Sequence, residues 1–418
     1  MPKISPDRLL SDLKRASEFG RYKTGVHRPT YSPQDMDARR WLVAELQKAG
    51  LDASIDGIGT VLGRSRREGR RLLIGSHLES QNYAGRLDGT LGVIFGLEVA
   101  RAFADDPKSR HMPIDVGAWA DEEGHFGSLI GSRSFCGELS DDEIAQLKNK
   151  HDGTKLTTAL EAAGLQGIPR FRLVPAQYVG YLEAHIEQGG VLENKGLQIG
   201  IVTSIVGNWQ YRVTVHGEQN HAGTTPMFLR KDAAATLVDL CHAIESEFPK
   251  FATPTTVWTV CRLTLDPGAP HIVPGQAEML FQFRDSSQER LRSMEKRLLQ
   301  LVDERNDRGP CRITIETMSR STPSVMAPDF QAILEESAEL HAPSRHMRMP
   351  SGAGHDAQIF ARHLPACMLF VPSIGGISHD IREDTSDDDI VMGCQVVATA
   401  AFEILSLCDG AQATVRAI

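Results

Sequence analysis

Residues 71–120 read RLLIGSHLESQNYAGRLDGTLGVIFGLEVARAFADDPKSRHMPIDVGAWA. Arg71–Ser76 is an apolar run that breaks into polar residues, Leu91–Phe103 repeats apolar residues at helical spacing, and Ile114–Ala120 is a second apolar run. A strand, a crossover helix and a strand in that order define an α/β fold. Upstream, Ser5-Pro6 starts a helix near residues 5–18, and a second helix runs from about Ser32 through ARRWLVAELQKAG to Gly50.

The middle of the chain has another rhythm. Gln210–His216 alternates as a strand, Lys231–Phe248 is helical, Thr256–Leu265 and Ala277–Arg284 are strands, Gln288–Asn306 is helical and Arg312–Met318 is a strand. This β-α-β-β-α-β order is that of a ferredoxin-like α+β unit, which folds alone. Signals of the first kind return afterwards, with Phe330–Glu339 helical and Cys367–Pro372 a strand. The reading is therefore one α/β domain, 1–208 with 323–418, carrying an inserted domain at 209–322. A chain of 418 residues is too long for one ordinary core, which agrees with two domains.

With 41% hydrophobic and 24% charged residues, the composition is that of a folded globular protein. A net charge of -9 argues against nucleic acid as a partner, because phosphate binding needs a basic surface. The N-terminal segment lacks the apolar stretch of a signal peptide, and no run of about eighteen uninterrupted apolar residues occurs, so no membrane association and a cytoplasmic location are expected. Seven scattered cysteines without C-x-x-C spacing suggest neither a disulfide framework nor a thiolate metal site. Small molecules are the expected ligands.

Four segments carry ligand-type side chains out of apolar strands beside glycine: GSHLESQNYAGRLDG (75–89), ADEEGHFGS (120–128), EAHIEQGG (183–190) and GGISHDIRED (375–384). Each has an ordinary explanation when taken singly. A histidine after a strand is most often a hydrogen-bonded surface residue, Asp88 before a glycine is a helix cap, and Glu122-Glu123 is a solvated acidic turn. Their shared format is what points to one site, since ligands of an open parallel sheet gather at the carboxyl ends of its strands. Imidazole and carboxylate together suit Zn, Mn, Co or Ni better than Ca. In the Glu122-Glu123 pair one carboxylate can bind metal while its neighbour serves as base toward a metal-activated water. Two cations roughly 3.5–4 Å apart need a bridging carboxylate, and Asp88 is the natural choice.

At these residues the chain resembles the M20-type metallohydrolases, in particular the hydantoinase/carbamoylase branch. GSHLESQNYAGRLDGTLGV, ADEEGHFG, HIEQGGVLE, NHAGTTPMFLRKDAA, SGAGHDAQIF and FVPSIGGISHD all look like motifs of that branch, and together they cover nearly the whole chain. The resemblance implies a metallopeptidase-like catalytic domain, with a mixed sheet flanked by helices, and an inserted lid that also forms a homodimer. It implies two divalent ions, one on His77, Asp88 and His185 and the other on Asp88, Glu123 and His379, with Glu122 as general base. Gln188, Gly352 and His355 would line the substrate pocket, and His221 would polarise the scissile carbonyl across the dimer interface. Arg284 would hold a substrate carboxylate, a task that suits its planar fork.

The implied reaction is hydrolysis of a linear amide or ureido C–N bond in a small N-carbamoyl- or N-acyl-amino acid, and an allantoate-type ureide is the close rival. A non-catalytic binding relative would have lost ligands or base, whereas all six are retained. Two departures from the family pattern stand out. His77-Leu78-Glu79 replaces His-x-Asp, whose Asp orients the metal-binding imidazole, so an altered metal affinity is expected. His271 replaces an asparagine that helps Arg284, which changes shape and charge in the substrate subsite.

Overall fold

A computed structural model describes residues 1–416, with side chains described to residue 408. The chain forms two compact units, residues 1–203 with the chain from 325 on, and residues 204–324.

The first unit is built on a nine-stranded mixed sheet. In spatial order its strands are Ser324–Val325, Ile199–Ile205, Ala366–Val371, Tyr178–Ile186, Arg71–His77, Ile114–Trp119, Val61–Arg64 and Asp52–Ile55, and His346–Ser351 also pairs with Ile199–Ile205. The four central strands, Ala366–Val371 to Ile114–Trp119, run parallel. Ile199–Ile205, Val61–Arg64 and Asp52–Ile55, outside them, join antiparallel. Every residue of Ile114–Trp119, Tyr178–Ile186 and Ala366–Val371 is buried, which is why these segments read as continuous apolar runs and not as alternating ones.

Crossover helices supply the cover. Thr90–Asp105 buries thirteen of its residues, including Leu91, Val93, Ile94, Phe95 and Leu97. Pro33–Lys48 begins at Ser32, whose side chain accepts the Asp35 N–H as an N-cap, and Pro at the first helical position suits that start. The C-terminal helix Asp387–Arg416 is long and apolar enough over 387–408 to cross a membrane by length and composition. Its apolarity has a simpler account, because 61% of its apolar window is buried inside the protein.

The second unit follows the expected order: Gly207–His216, Ala233–Glu247, Val257–Asp266, Gln276–Asp285, Gln288–Arg308 and Arg312–Arg320. Its sheet is antiparallel, with Gly207–His216 and Gln276–Asp285 in the middle. Trp209, Tyr211, Val213 and Val215 alternate onto one face and pack with Leu237, Leu240, Leu291 and Leu298 of the two helices. The alternation arises because only that face is covered.

One region has no counterpart in the sequence reading. Short helices at Ile130–Phe135, Asp141–Gln146 and Leu156–Ala162 bring Ile130, Leu139, Leu156 and Leu160 into a satellite core with Tyr31, Met36 and Ile58.

Candidate metal centre

The parallel strands carry the site at their carboxyl ends. His77 ends its strand in register with Trp119, and His185 lies in register with Phe370. Glu122 and Glu123 follow the strand ending at Trp119, Asp88 precedes the helix Thr90–Asp105, and His379 follows the strand ending at Val371. Glycine at 89 is required twice over. Its φ of +63° is a left-handed conformation, and a Cβ there would overlap the His77 ring.

The side chains converge on Asp88. His185 Nε2 lies 3.0 Å and His77 Nε2 3.4 Å from Asp88 Oδ1, while His379 Nε2 lies 3.2 Å from Asp88 Oδ2 and 3.6 Å from Glu123 Oε2. His77, Asp88 and His185 thus make one potential cation position and Asp88, Glu123 and His379 a second, sharing the one carboxylate. The sequence reading named these same two triplets.

Hydrogen bonds aim the donors. His77 Nδ1 faces the Glu79 carbonyl at 3.0 Å and His185 Nδ1 faces the Ile186 carbonyl at 2.9 Å. A proton on each Nδ1 leaves the Nε2 lone pairs directed at the shared centre. Gln81 holds Glu123: its N–H donates to Oε1 at 3.1 Å and its Nε2 to Oε2 at 2.9 Å. Glu122 Oε2 lies 3.7 Å from His77 Nε2, and the Glu122 N–H donates to Glu79 Oε1 at 2.7 Å.

Burial makes the electrostatics severe. It raises the Glu122 carboxyl well above the usual range against the pull of His77, with Glu123 and Asp356 adding to the rise. Burial acts on Asp88 in the same sense, but hydrogen bonds from His185, His379 and His77 outweigh it and hold that carboxyl well below its ordinary value. His379 is pushed up to about 9, first by its bond to Asp88. Three carboxylates therefore share one pocket with three imidazoles, and no lysine or arginine among the described residues forms an ion pair with Asp88, Glu122 or Glu123. Such a set calls for cations, and its mixed nitrogen and oxygen donors fit first-row divalent ions.

The other residues singled out in the sequence fall in several places. Gln188 has φ +57°, and its Nε2 donates to Asp88 Oδ2 at 3.0 Å and Ser378 Oγ at 3.2 Å, so it belongs to the cluster itself. His355 is 1% exposed, bonds Ser351 Oγ and packs edge-on against His185 at 4.5 Å between centroids. It packs against His185 in the interior and does not line an open pocket. Burial, and then the neighbouring His185, push its imidazole well below its usual pKa, so it is neutral. Gly352 is exposed with open space at its Cβ position.

His221, His271 and Arg284 lie in the second unit. His221 Nδ1 accepts the N–H groups of Gly223 and Thr224, both at 3.0 Å, which places its proton on Nε2. The His221 and His271 segments are joined, since His221 pairs with Ile272 and the Ala222 N–H donates to the His271 carbonyl at 2.9 Å. Arg284 is half-buried and donates from Nη2 to Gln282 Oε1 at 3.3 Å. Asp285, its neighbour in sequence, faces the opposite side of the strand and is held by Thr256, Ser287 and Arg290.

Glu79 differs from the expectation. Its carboxylate stands 4.0 Å from His77 Nδ1, and its own backbone carbonyl, not its side chain, orients that ring. The carboxylate instead joins Arg39 Nη2, at 2.5 Å, to the Glu122 N–H. Arg39, fully buried, also pairs with Asp35 at 2.9 Å and donates to the Gly59 carbonyl. Arg39, Gln81, Ser378 and Glu383 were not singled out in the sequence. Glu383 is held up at about 7 by burial, with Asp88 adding.

Comparison with known proteins agrees with this geometry. The family described as Peptidase family M20/M25/M40 matches residues 77–403. An N-carbamoyl-L-amino-acid amidohydrolase of Paenarthrobacter aurescens is 33% identical over 95% of this chain and 97% of its own length. An allantoate amidohydrolase of Escherichia coli K12 is 31% identical over 91% of this chain and 93% of its own. A crystal structure of an amidase (hydantoinase/carbamoylase family) from Burkholderia phymatum is 48% identical, covers 97% of this chain and 99% of its own, and superposes with a TM-score of 0.93. The chain belongs to the M20/M25/M40 peptidase family. Within it, the chain falls in the hydantoinase/carbamoylase branch and is an amidohydrolase, a hydrolase of C–N bonds other than peptide bonds.

Proposed function

We propose that the chain binds two divalent ions on the triplets sharing Asp88 and hydrolyses a linear amide or ureido C–N bond of a small N-carbamoyl- or N-acyl-amino acid. The observation that carries this reading is the pair of histidine–acid triplets that share the buried Asp88, with the Glu122 carboxyl 3.7 Å from His77 Nε2. When bound, the ions supply Lewis acidity toward a carbonyl and acidify water. Zn, Mn, Co and Ni all suit the donors.

Glu122 does the proton work. Its carboxylate takes a proton from the attacking water and holds it until the departing nitrogen accepts it. His221 donates from Nε2 to the developing oxyanion, a role supported by its tautomer and exposure, and it does so from the partner subunit of a homodimer formed through the inserted unit. Arg284 receives the substrate carboxylate with His271 in the same subsite, and the bond of the Ala222 N–H to the His271 carbonyl ties His271 to the His221 segment. Gln188 orients substrate or ligand beside Asp88.

An allantoate-type ureide is the second reading, favoured by the allantoate amidohydrolase relative and by His271 in the carboxylate subsite. One assay separates them: cobalt- or manganese-loaded protein against N-carbamoyl-amino acids, N-acyl-amino acids and allantoate. The reading is wrong if no member of the panel turns over. Replacing Glu122 by Gln should lower kcat by about 10²–10⁴-fold while metal content stays at the wild-type level, and unchanged turnover would overturn the base assignment.

A further inference from the structure

We propose that Glu383 is a positioning residue for the cation position formed by Asp88, Glu123 and His379. The inference rests on the binuclear reading above and adds to it the group that fixes the geometry of one position. Glu383 is 3% exposed, and one carboxylate ties two ligand segments together. Its Oε1 accepts the N–H groups of Leu87 at 3.3 Å and Asp88 at 3.1 Å. Its Oε2 accepts the Ser378 hydroxyl at 3.0 Å and the His379 N–H at 3.3 Å.

The circuit closes through a third segment. Ser378 Oγ accepts from Gln188 Nε2 at 3.2 Å, and the same Nε2 donates to Asp88 Oδ2 at 3.0 Å. Glu383, Ser378, Gln188 and Asp88 thus form a ring that locks residues nearly three hundred positions apart in sequence.

His379 needs this support more than the other ligands. His77 and His185 are both 1% exposed and their rings are pinned through Nδ1 to carbonyls. The His379 side chain is 51% exposed, and its φ of +55° is a conformation that a residue with a side chain rarely adopts. Packing does not hold it, so the polar grip of Glu383 on its N–H and on Ser378 does. Loss of that grip weakens the His379 position more than the one formed with His77 and His185, because Asp88 keeps its contacts to both buried histidines.

Metal-free protein titrated with Co²⁺, followed by visible absorbance and by metal analysis, tests this. Wild-type protein takes up two ions per chain, and Glu383→Gln retains one tightly while its second affinity falls about 10–100-fold, the usual effect of removing an outer-shell partner. The amide keeps an acceptor for one side of the circuit but turns an N–H toward the donors of the other. Glu383→Asp should recover part of the loss.

Gly85→Ala provides an independent variant in case Glu383→Gln fails to fold. Position 85 has no positive φ, yet a Cβ there would overlap the Glu383 carboxylate and displace it chemically intact. It should show the same selective loss. Two ions bound at wild-type affinity in folded variants would overturn the proposal, as would equal weakening of both positions, which marks a general structural role. A wild-type protein that takes up no ion would sink the binuclear reading itself, before any variant is measured.

Discussion

Glu79→Asp is the most searching single substitution, because one methylene decides whether a buried carboxylate reaches both of its partners. Glu79 is fully buried, with Oε2 2.5 Å from Arg39 Nη2 and Oε1 2.7 Å from the Glu122 N–H. Aspartate is shorter by one C–C bond, about 1.5 Å, so contacts at these distances cannot both survive. The stronger, charge-assisted bond to Arg39 is the one retained, and the Glu122 amide is released. Losing a buried hydrogen bond to a charged group costs about 1.5–3 kcal/mol, and the missing methylene about 1 kcal/mol more. Together these give about 2–4 kcal/mol, which lowers Tm by about 4–8 °C for a unit of this size.

The catalytic effect has a separate origin. Glu122 inherits its position from the bond its N–H makes, and a displacement of about an ångström at a reacting group costs on the order of 10²-fold in rate. KM should stay within about twofold of wild type, since binding that is uniform through the reaction is untouched. Differential scanning calorimetry of the metal-loaded protein and steady-state kinetics on the best substrate of the panel read the two effects. Wild-type Tm and kcat in Glu79→Asp would refute the assignment of Glu79 as the link between Arg39 and the base.

Further outcomes follow from the same geometry. In metal-free protein the His379 pKa lies near 9, above the ordinary value of 6.5, so its contribution to stability is complete below pH 6.5 and is lost as pH rises through about 9. With the side chain half exposed, screening limits that contribution to about 1 kcal/mol or less. Tm of chelator-treated protein should fall more steeply from pH 6.5 to 9 than that of His379→Gln, and ion uptake at pH 7 should release protons; equal slopes would refute this. Arg284→Ala should raise KM for carboxylate substrates about 10–100-fold with a smaller change in kcat, as loss of a bond to a charged group predicts, and an unchanged KM would remove Arg284 from the subsite. Gly89→Ala places a side chain at φ +63° and onto the His77 ring, so it should abolish Co²⁺ uptake; wild-type uptake would refute the need for glycine there.

How much of this was legible in the sequence depended on the kind of force involved. The central strands were readable because burial on both faces leaves continuous apolar runs, and the second unit because one covered face leaves alternation, as at Trp209, Tyr211, Val213 and Val215. The candidate ligands stood out because strand ends force them into short polar segments next to glycine. The helices between residues 130 and 162 were not, since they are only six or seven residues long, too short to show a period. What shapes that region is Asp121, whose φ is +56° and whose carboxylate accepts the N–H groups of His125, Phe126 and Gly127. Arg39 and Glu383 were missed for a related reason. Arg39 lies on the helix Pro33–Lys48 and Glu383 in an acidic stretch, positions where charged residues are ordinarily solvated. A buried charge must find partners, but that obligation can be seen only once burial is known. The donors that satisfy Glu383 come from residues 87 and 88 as well as 378 and 379, so no local spacing encodes the bond. Sequence pattern therefore reaches the atoms that would hold the ions, whereas the atoms that hold those ligands in place emerge only from the fold.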